Sequence, residues 1–232
     1  MADFSIRRDG STKFGPQQRW GNFPAVSLRW NASDEPFMEN LGWISMLSIR
    51  PGWGKVGNQP GSDYLYFSKY TPSSTYVGQT SIYPSNIRLS NLKWESKETW
   101  NIGFDLGFFE DMITSDVNLY TQLTTDLLMY NRALPGSSGY TALQVQNVGS
   151  MRNRGWEFNI NGNRLIHKGR FSTDFNVTFA NNMNTIIDMD PTVLSSLNSQ
   201  FDRSNGSYLT RVQLNNPFGS IYGFRYKGVY QY

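Results

Sequence analysis

The chain has no cysteine and a single histidine. Without thiols there is neither a disulfide frame nor a thiolate metal site. Long apolar runs are missing too. No stretch of about 18 apolar residues occurs, which excludes a transmembrane helix but not a barrel that crosses with strands. Charge is sparse: 21 basic and 18 acidic side chains leave a formal net charge of +3, and the basic residues are scattered. That is too little to recruit nucleic acid. Residues 1–10 carry no signal-peptide pattern. An exported barrel needs one, so either a leader has been removed or the chain is a piece of a longer polypeptide. Apolar residues make up only 38%, yet aromatics reach 15%. A barrel strand commits half its positions to apolar contact, which suits that balance.

What the chain does have is alternation. Trp100, Ile102, Phe104, Leu106 and Phe108 are separated by Asn101, Gly103, Asp105 and Gly107. A period of two is a β-strand with one apolar and one polar face. A short turn with Glu110 and Asp111 at its tip leads to a return strand. There Val117, Leu119, Thr121 and Leu123 oppose Asp116, Asn118, Tyr120 and Gln122. The pattern recurs in 154–163, where Trp156, Phe158 and Ile160 alternate with Glu157, Asn159 and Asn161. It recurs again in 171–180, where Phe171, Phe175, Val177 and Phe179 oppose Ser172, Asp174, Asn176 and Thr178.

Two architectures use such strands. In a soluble sandwich the apolar face packs inside and the polar face meets bulk water. In an outer-membrane barrel the apolar face meets lipid and the polar face lines a wet lumen. A membrane strand needs about 9–11 tilted residues, and 98–108 fits, although long soluble strands exist.

The remaining segments supply a second criterion. Strands are expected at 3–8, 23–31 and 47–56, with Pro51 marking a bulge or an exposed edge in the last. Ser33-Asp34-Glu35-Pro36-Phe37-Met38 predicts one or two helical turns. The stretches 57–94, 126–153 and 181–217 have no sustained period and read as long loops, and 218–232 begins a further strand. Connections therefore alternate: compact near Asp34, Glu110 and Lys168, long near Asp63, Pro135 and Ser199. Outer-membrane barrels segregate short periplasmic turns and long extracellular loops to opposite rims, and a sandwich has no reason to. The expected fold is all-β, an antiparallel transmembrane barrel segment. Asn101, Asp105, Asp116, Asn118, Glu157, Asn159, Asp174 and Asn176 are then lumen-facing. Trp100, Ile102, Phe104, Leu106, Trp156, Phe158, Phe175 and Phe179 are lipid-facing.

Residues that could carry catalysis are few. His167 beside Lys168 reads as a solvated turn residue, since nothing supplies it with a nucleophile and an orienting acid. Asp188 and Asp190 resemble half a calcium loop without its glycine and distal glutamate, and read as loop carboxylates. No catalytic residue, metal or cofactor is expected. Gly103 and Gly107 leave room in the lumen or allow curvature. The ligand-like feature is aromatic: Tyr64, Tyr66, Phe67, Tyr70 and Tyr76 in one long loop, Tyr130 and Tyr140 in the next. Flat rings with a polar tip suit sugars, peptide side chains or a lid protein.

Several motifs together also resemble a family. They include Asp9-Gly-Ser-Thr-Lys-Phe-Gly-Pro, Arg19-Trp-Gly-Asn-Phe-Pro-Ala-Val-Ser and Ser33-Asp-Glu-Pro-Phe-Met. Gly57-Asn-Gln, Leu92-Lys-Trp-Glu, Pro135-Gly-Ser-Ser-Gly-Tyr, Gln146-Asn-Val-Gly-Ser and Asn153-Arg-Gly-Trp-Glu follow in order. The sequence is similar to the barrel of SusC/RagA-type TonB-dependent outer-membrane transporters, of the kind found in Bacteroidetes, over nearly its whole length. That resemblance implies import of glycans or peptides across the outer membrane of a Gram-negative bacterium. The implied partners are a SusD-like surface lipoprotein, the TonB complex and outer-membrane lipid. No TonB-box segment and no plug are visible. About seven or eight strands stand against the roughly 22 of plugged transporters. Residues 1–232 thus read as a partial receptor barrel domain. The alternative is a soluble β-rich carbohydrate-binding module.

Overall fold

Alternating sequences give strands that pair antiparallel with the next strand along the chain, and the sheet grows as a meander. The computed structural model describes residues 1–232 except 77, 135, 141, 169–170, 199–208, 223–224 and 229–232. In order it runs β1 (Ala2–Gly10), β2 (Trp20–Leu28), β3 (Trp30–Asn31), β4 (Ile44–Asn58), β5 (Tyr70–Tyr76) and β6 (Gln79–Pro84). Then come β7 (Glu95–Phe108), β8 (Ile113–Thr125), β9 (Leu128–Ala133), β10 (Ala142–Asn147), β11 (Ser150–Lys168) and β12 (Phe171–Asp188). Helix α1 (Pro191–Leu197) and the short β13 (Leu209–Thr210) and β14 (Ile221–Tyr222) complete it. One eight-stranded antiparallel sheet runs β1-β2-β4-β7-β8-β11-β12, with β3 beside β4. Its end strands β1 and β12 are not paired with each other, so among the described residues the sheet is open.

Register sorts most apolar and polar side chains onto opposite faces. Ile49, Phe104, Val117, Phe158 and Phe179 form one cross-strand row, and Ser48, Asp105, Asp116, Asn159 and Thr178 form its counterpart on the other face. Trp100 (57%), Trp156 (44%) and Phe179 (52%) remain exposed. In a soluble sandwich these rings would be covered by a second sheet; among the described residues none covers them, so the module alternative is not supported.

Rims are segregated. Connections 29–43 and 109–112 meet at one rim, where the Phe109 N–H donates to the Trp43 carbonyl at 2.9 Å. At the other, Lys13 Nζ donates to the Pro60 carbonyl at 2.9 Å. Apart from Ala32, the buried apolar side chains among the described residues gather at this second rim rather than behind the sheet. One cluster joins Phe14, Leu65, Leu92 and Val145; another joins Val148, Ile186, Met189, Val193 and Val212.

Several expectations need correction. Pro51 lies in an interior strand, paired with Ile102, not at an edge. Its missing N–H coincides with the gap between the β2–β4 and β3–β4 ladders. The long connections are not structureless: 59–94 holds the β5–β6 hairpin and 126–149 holds β9–β10. β12 runs on to Asp188 through Asn181-Asn182-Met183-Asn184, because ladder bonds to β11 come from backbone and need no apolar side chain. His167 lies in β11 opposite Ser172 rather than in a turn, and its side chain is outside the described residues. Helix α1 was not anticipated; Asp190 Oδ1 accepts the Thr192 N–H at 2.8 Å as its cap. The two helical turns expected near Ser33 are there, at 32–34 and 36–38. Ser199 lies outside the described residues.

Candidate functional site

The polar face of the sheet is the first part of the site. Asn101, Asp105, Asp116, Asn118, Glu157, Asn159, Asp174 and Asn176 all lie on it, and the eight residues predicted apolar all lie on the other. Asp105 and Asp116 are directly opposite one another on β7 and β8. Like charges so placed repel, and two arginines resolve the conflict. Arg50 Nη2 is 2.6 Å from Asp105 and 2.7 Å from Asp116, and Arg29 Nη2 is 3.2 Å from Asp105. Gly103 makes this reach possible: a Cβ there would stand 3.0 Å from Arg50 Nη2 and 2.8 Å from Asn118 Oδ1.

Beyond the ion cluster the face becomes an amide and hydroxyl surface. Asn176 Nδ2 donates to Asn159 Oδ1 at 2.8 Å and also bonds Asn161, while Thr178 Oγ1 donates to Asn159 at 3.1 Å. Asp174 accepts the Arg164 N–H at 2.7 Å where β11 bulges between Gly162 and Ile166. Arg50 was missed in the sequence. Its parity with Ser48 and Gly52 puts it on the polar face, but nothing in the alternation says which carboxylates it meets.

The second part is the long-loop rim. Trp94 packs tilted against Phe14 and edge-on against Phe23, with ring centroids 4.8 and 5.5 Å away. Asn147 donates to the Lys93 and Asp126 carbonyls at 2.8 and 2.9 Å, and Glu95 Oε2 accepts the Leu128 N–H at 2.8 Å. Asn86 is buried, bonded to the Phe67 carbonyl and the Lys69 N–H. Gly149 turns the chain at φ +59, where a side chain would strike Asp188 backbone. Residues 92–95 and 146–150, singled out as motifs, are therefore the ties that hold the rim together.

The tyrosines divide on this scaffold. Tyr64 (63% exposed) and Tyr70 (66%) present exposed rings, that of Tyr64 tilted beside Phe67 at 6.3 Å. Tyr66 packs against Phe67 at 4.1 Å, the Tyr130 hydroxyl accepts the Gly61 N–H at 3.2 Å, and Tyr140 is half-buried. The Tyr76 side chain is outside the described residues.

An open meander with one apolar face, one polar face and asymmetric rims is a piece of barrel wall, and the sequence comparison agrees. Residues 1–231 match the family described as "TonB dependent receptor-like, beta-barrel". The chain belongs to that family. It is 34% identical over 98% of its length to a TonB-dependent receptor of Formosa agariphila, and 35% identical over 77% to the TonB-dependent receptor SusC of Bacteroides thetaiotaomicron. This receptor-barrel chain also superimposes on a chain of the RagAB peptide importer in its closed-closed state, with TM-score 0.77 and 25% identity over 94% of its residues. It spans 21% and 18% of those two receptors and 23% of the importer chain.

Proposed function

We propose that this chain is part of the wall of an outer-membrane nutrient importer in a Gram-negative bacterium, and that it is not an enzyme. Its work is passive: one face seals against lipid and the other lines an aqueous path. The observation carrying this is the separation of faces, with bare Trp and Phe on one side and the Arg50–Asp105–Asp116 cluster and asparagine surface on the other. Kinship to SusC and to a peptide importer supports glycans or peptides as cargo. It equally supports a SusD-like lipoprotein above the long-loop rim and energy supplied through TonB. Exposed Tyr64 and Tyr70 belong to that outer vestibule and contact cargo or lid. The asparagine and threonine amide–hydroxyl surface suits a moving polar ligand, since it offers many weak, interchangeable hydrogen bonds and no deep trap.

Single-cysteine labelling tests the face assignment, and this chain brings no background thiol. In the complete transporter, cysteine at Asn118 or Asn159 should react with a membrane-impermeant thiol reagent, and cysteine at Phe104 or Phe158 only with a lipid-soluble one. The reverse pattern would turn the wall inside out and end this reading.

A further inference from the structure

The apolar face carries a few cations: Arg8 lies over the Trp20 ring, Lys55 stands opposite Glu98, and a pair stands apart in β11. Arg152 and Arg154 lie on it in β11, opposite Leu123 and Thr121 of β8, close to the long-loop rim. Among the described residues neither guanidinium has a hydrogen-bond or ion-pair partner. The acid on that face, Glu98, is already engaged on the β4 side, accepting the indole N–H groups of Trp53 at 2.8 Å and Trp100 at 3.1 Å. Beside Arg154 lies an open depression of about 650 Å³, walled by Trp100, Trp156, Thr121 and Met183.

We propose that Arg152, Arg154 and this depression hold a phosphate-bearing lipid of the surrounding leaflet. This rests on reading the face as lipid-exposed. A guanidinium is costly at mid-bilayer and tolerated at headgroup depth, and its fork of donors matches a phosphate. The indole faces and Met183 take the first part of an acyl chain. Charge complementarity selects this occupant: the free cations have no free anion beside them. A second copy docked through the same patch about a two-fold axis would set arginine against arginine.

The complete protein, reconstituted in nanodiscs with phosphatidylglycerol and a neutral, phosphate-free glycolipid of equal chain length, provides the test. Native mass spectrometry should find phosphatidylglycerol retained in preference. Combined Arg152→Gln and Arg154→Gln should lower retention about tenfold or more, the scale of losing a charge-assisted hydrogen bond. Thr121→Trp, which fills the depression and keeps both arginines, should lower it as well. Inorganic phosphate should not displace the lipid; release by phosphate would make the free anion the ligand and overturn the lipid assignment. Equal retention of both lipids, or of phosphatidylglycerol in the Gln variants, overturns the site alone if the protein still needs detergent for extraction. A lipid-free dimer formed through this face also overturns it. Extraction without detergent would remove the lipid-facing reading beneath it.

Discussion

The Arg50 guanidinium reaches across the β4–β7 ladder to Asp105, with Nη2 2.6 Å from Oδ1. The same nitrogen holds Asp116 on the next strand at 2.7 Å, so one side chain ties three strands on the polar face. Its side chain is 34% exposed. The pairing therefore falls between a screened surface bridge and a charge-assisted hydrogen bond in a drier setting.

Arg50→Gln leaves Asp105 and Asp116 facing each other. A loss of about 1–2 kcal/mol is expected, between the values for exposed ion pairs and for hydrogen bonds to charged groups. Adding Asp116→Asn should recover most of it by removing the repulsion. Urea unfolding of the complete protein in bilayers measures both, and an additive double variant would show that the three side chains do not act as a unit.

Phe104→Arg puts a charge in the middle of the apolar face. On a lipid-facing strand near mid-bilayer it should cost about 2–4 kcal/mol and hinder assembly of detergent-resistant barrel. Asn118→Arg, on the opposite face, should assemble like the parent. Equal assembly of the two variants would mean that the two faces see the same solvent.

Phe14 is fully buried at the long-loop rim, in a cluster with Leu65, Leu92 and Val145. Phe14→Ala should cost about 3–5 kcal/mol locally. The damage should be confined to the rim, because the strand ladders of β7 and β8 do not lean on this cluster. Hydrogen exchange should show lost protection in 59–94 and unchanged protection in 98–106. Loss in both would make rim and wall one cooperative unit.

Tyr64 and Tyr70 carry exposed rings, whereas Tyr66 is packed on Phe67. Replacing Tyr64 and Tyr70 together by Ala should weaken cargo capture about tenfold, from aromatic contacts of roughly 0.5–1.5 kcal/mol each, with stability unchanged. Tyr66→Ala should lower rim stability instead. Capture that survives the double change would take these rings out of the vestibule's binding role.

Much of the wall was legible before any coordinates. The alternation around Phe104, Phe158 and Phe175 sorted the predicted residues into two sets that the ladders place on opposite faces of the sheet, because a strand's side chains must alternate and a slip of one residue would invert the whole set. The rim was legible only as length. Tyr70–Tyr76 and Leu128–Ala133 pair as hairpins, yet they carry no clean period. A hairpin standing in a loop has no broad face to bury, and so no pattern to display. Asn181–Asn184 hid the end of β12 for another reason: its pairing with β11 runs through backbone bonds and leaves no mark on the side-chain pattern.

By itself the sequence determined that this chain is a two-faced antiparallel sheet with its longest connections at one rim. Side-chain alternation and turn chemistry are local, and they survive in one dimension. Tertiary structure alone decided which charges meet, as Arg50 with Asp105 and Asp116, and where the dry clusters form, as Phe14 with Val145. Those partners lie far apart in the chain, and only the register of intervening strands sets the distance between them.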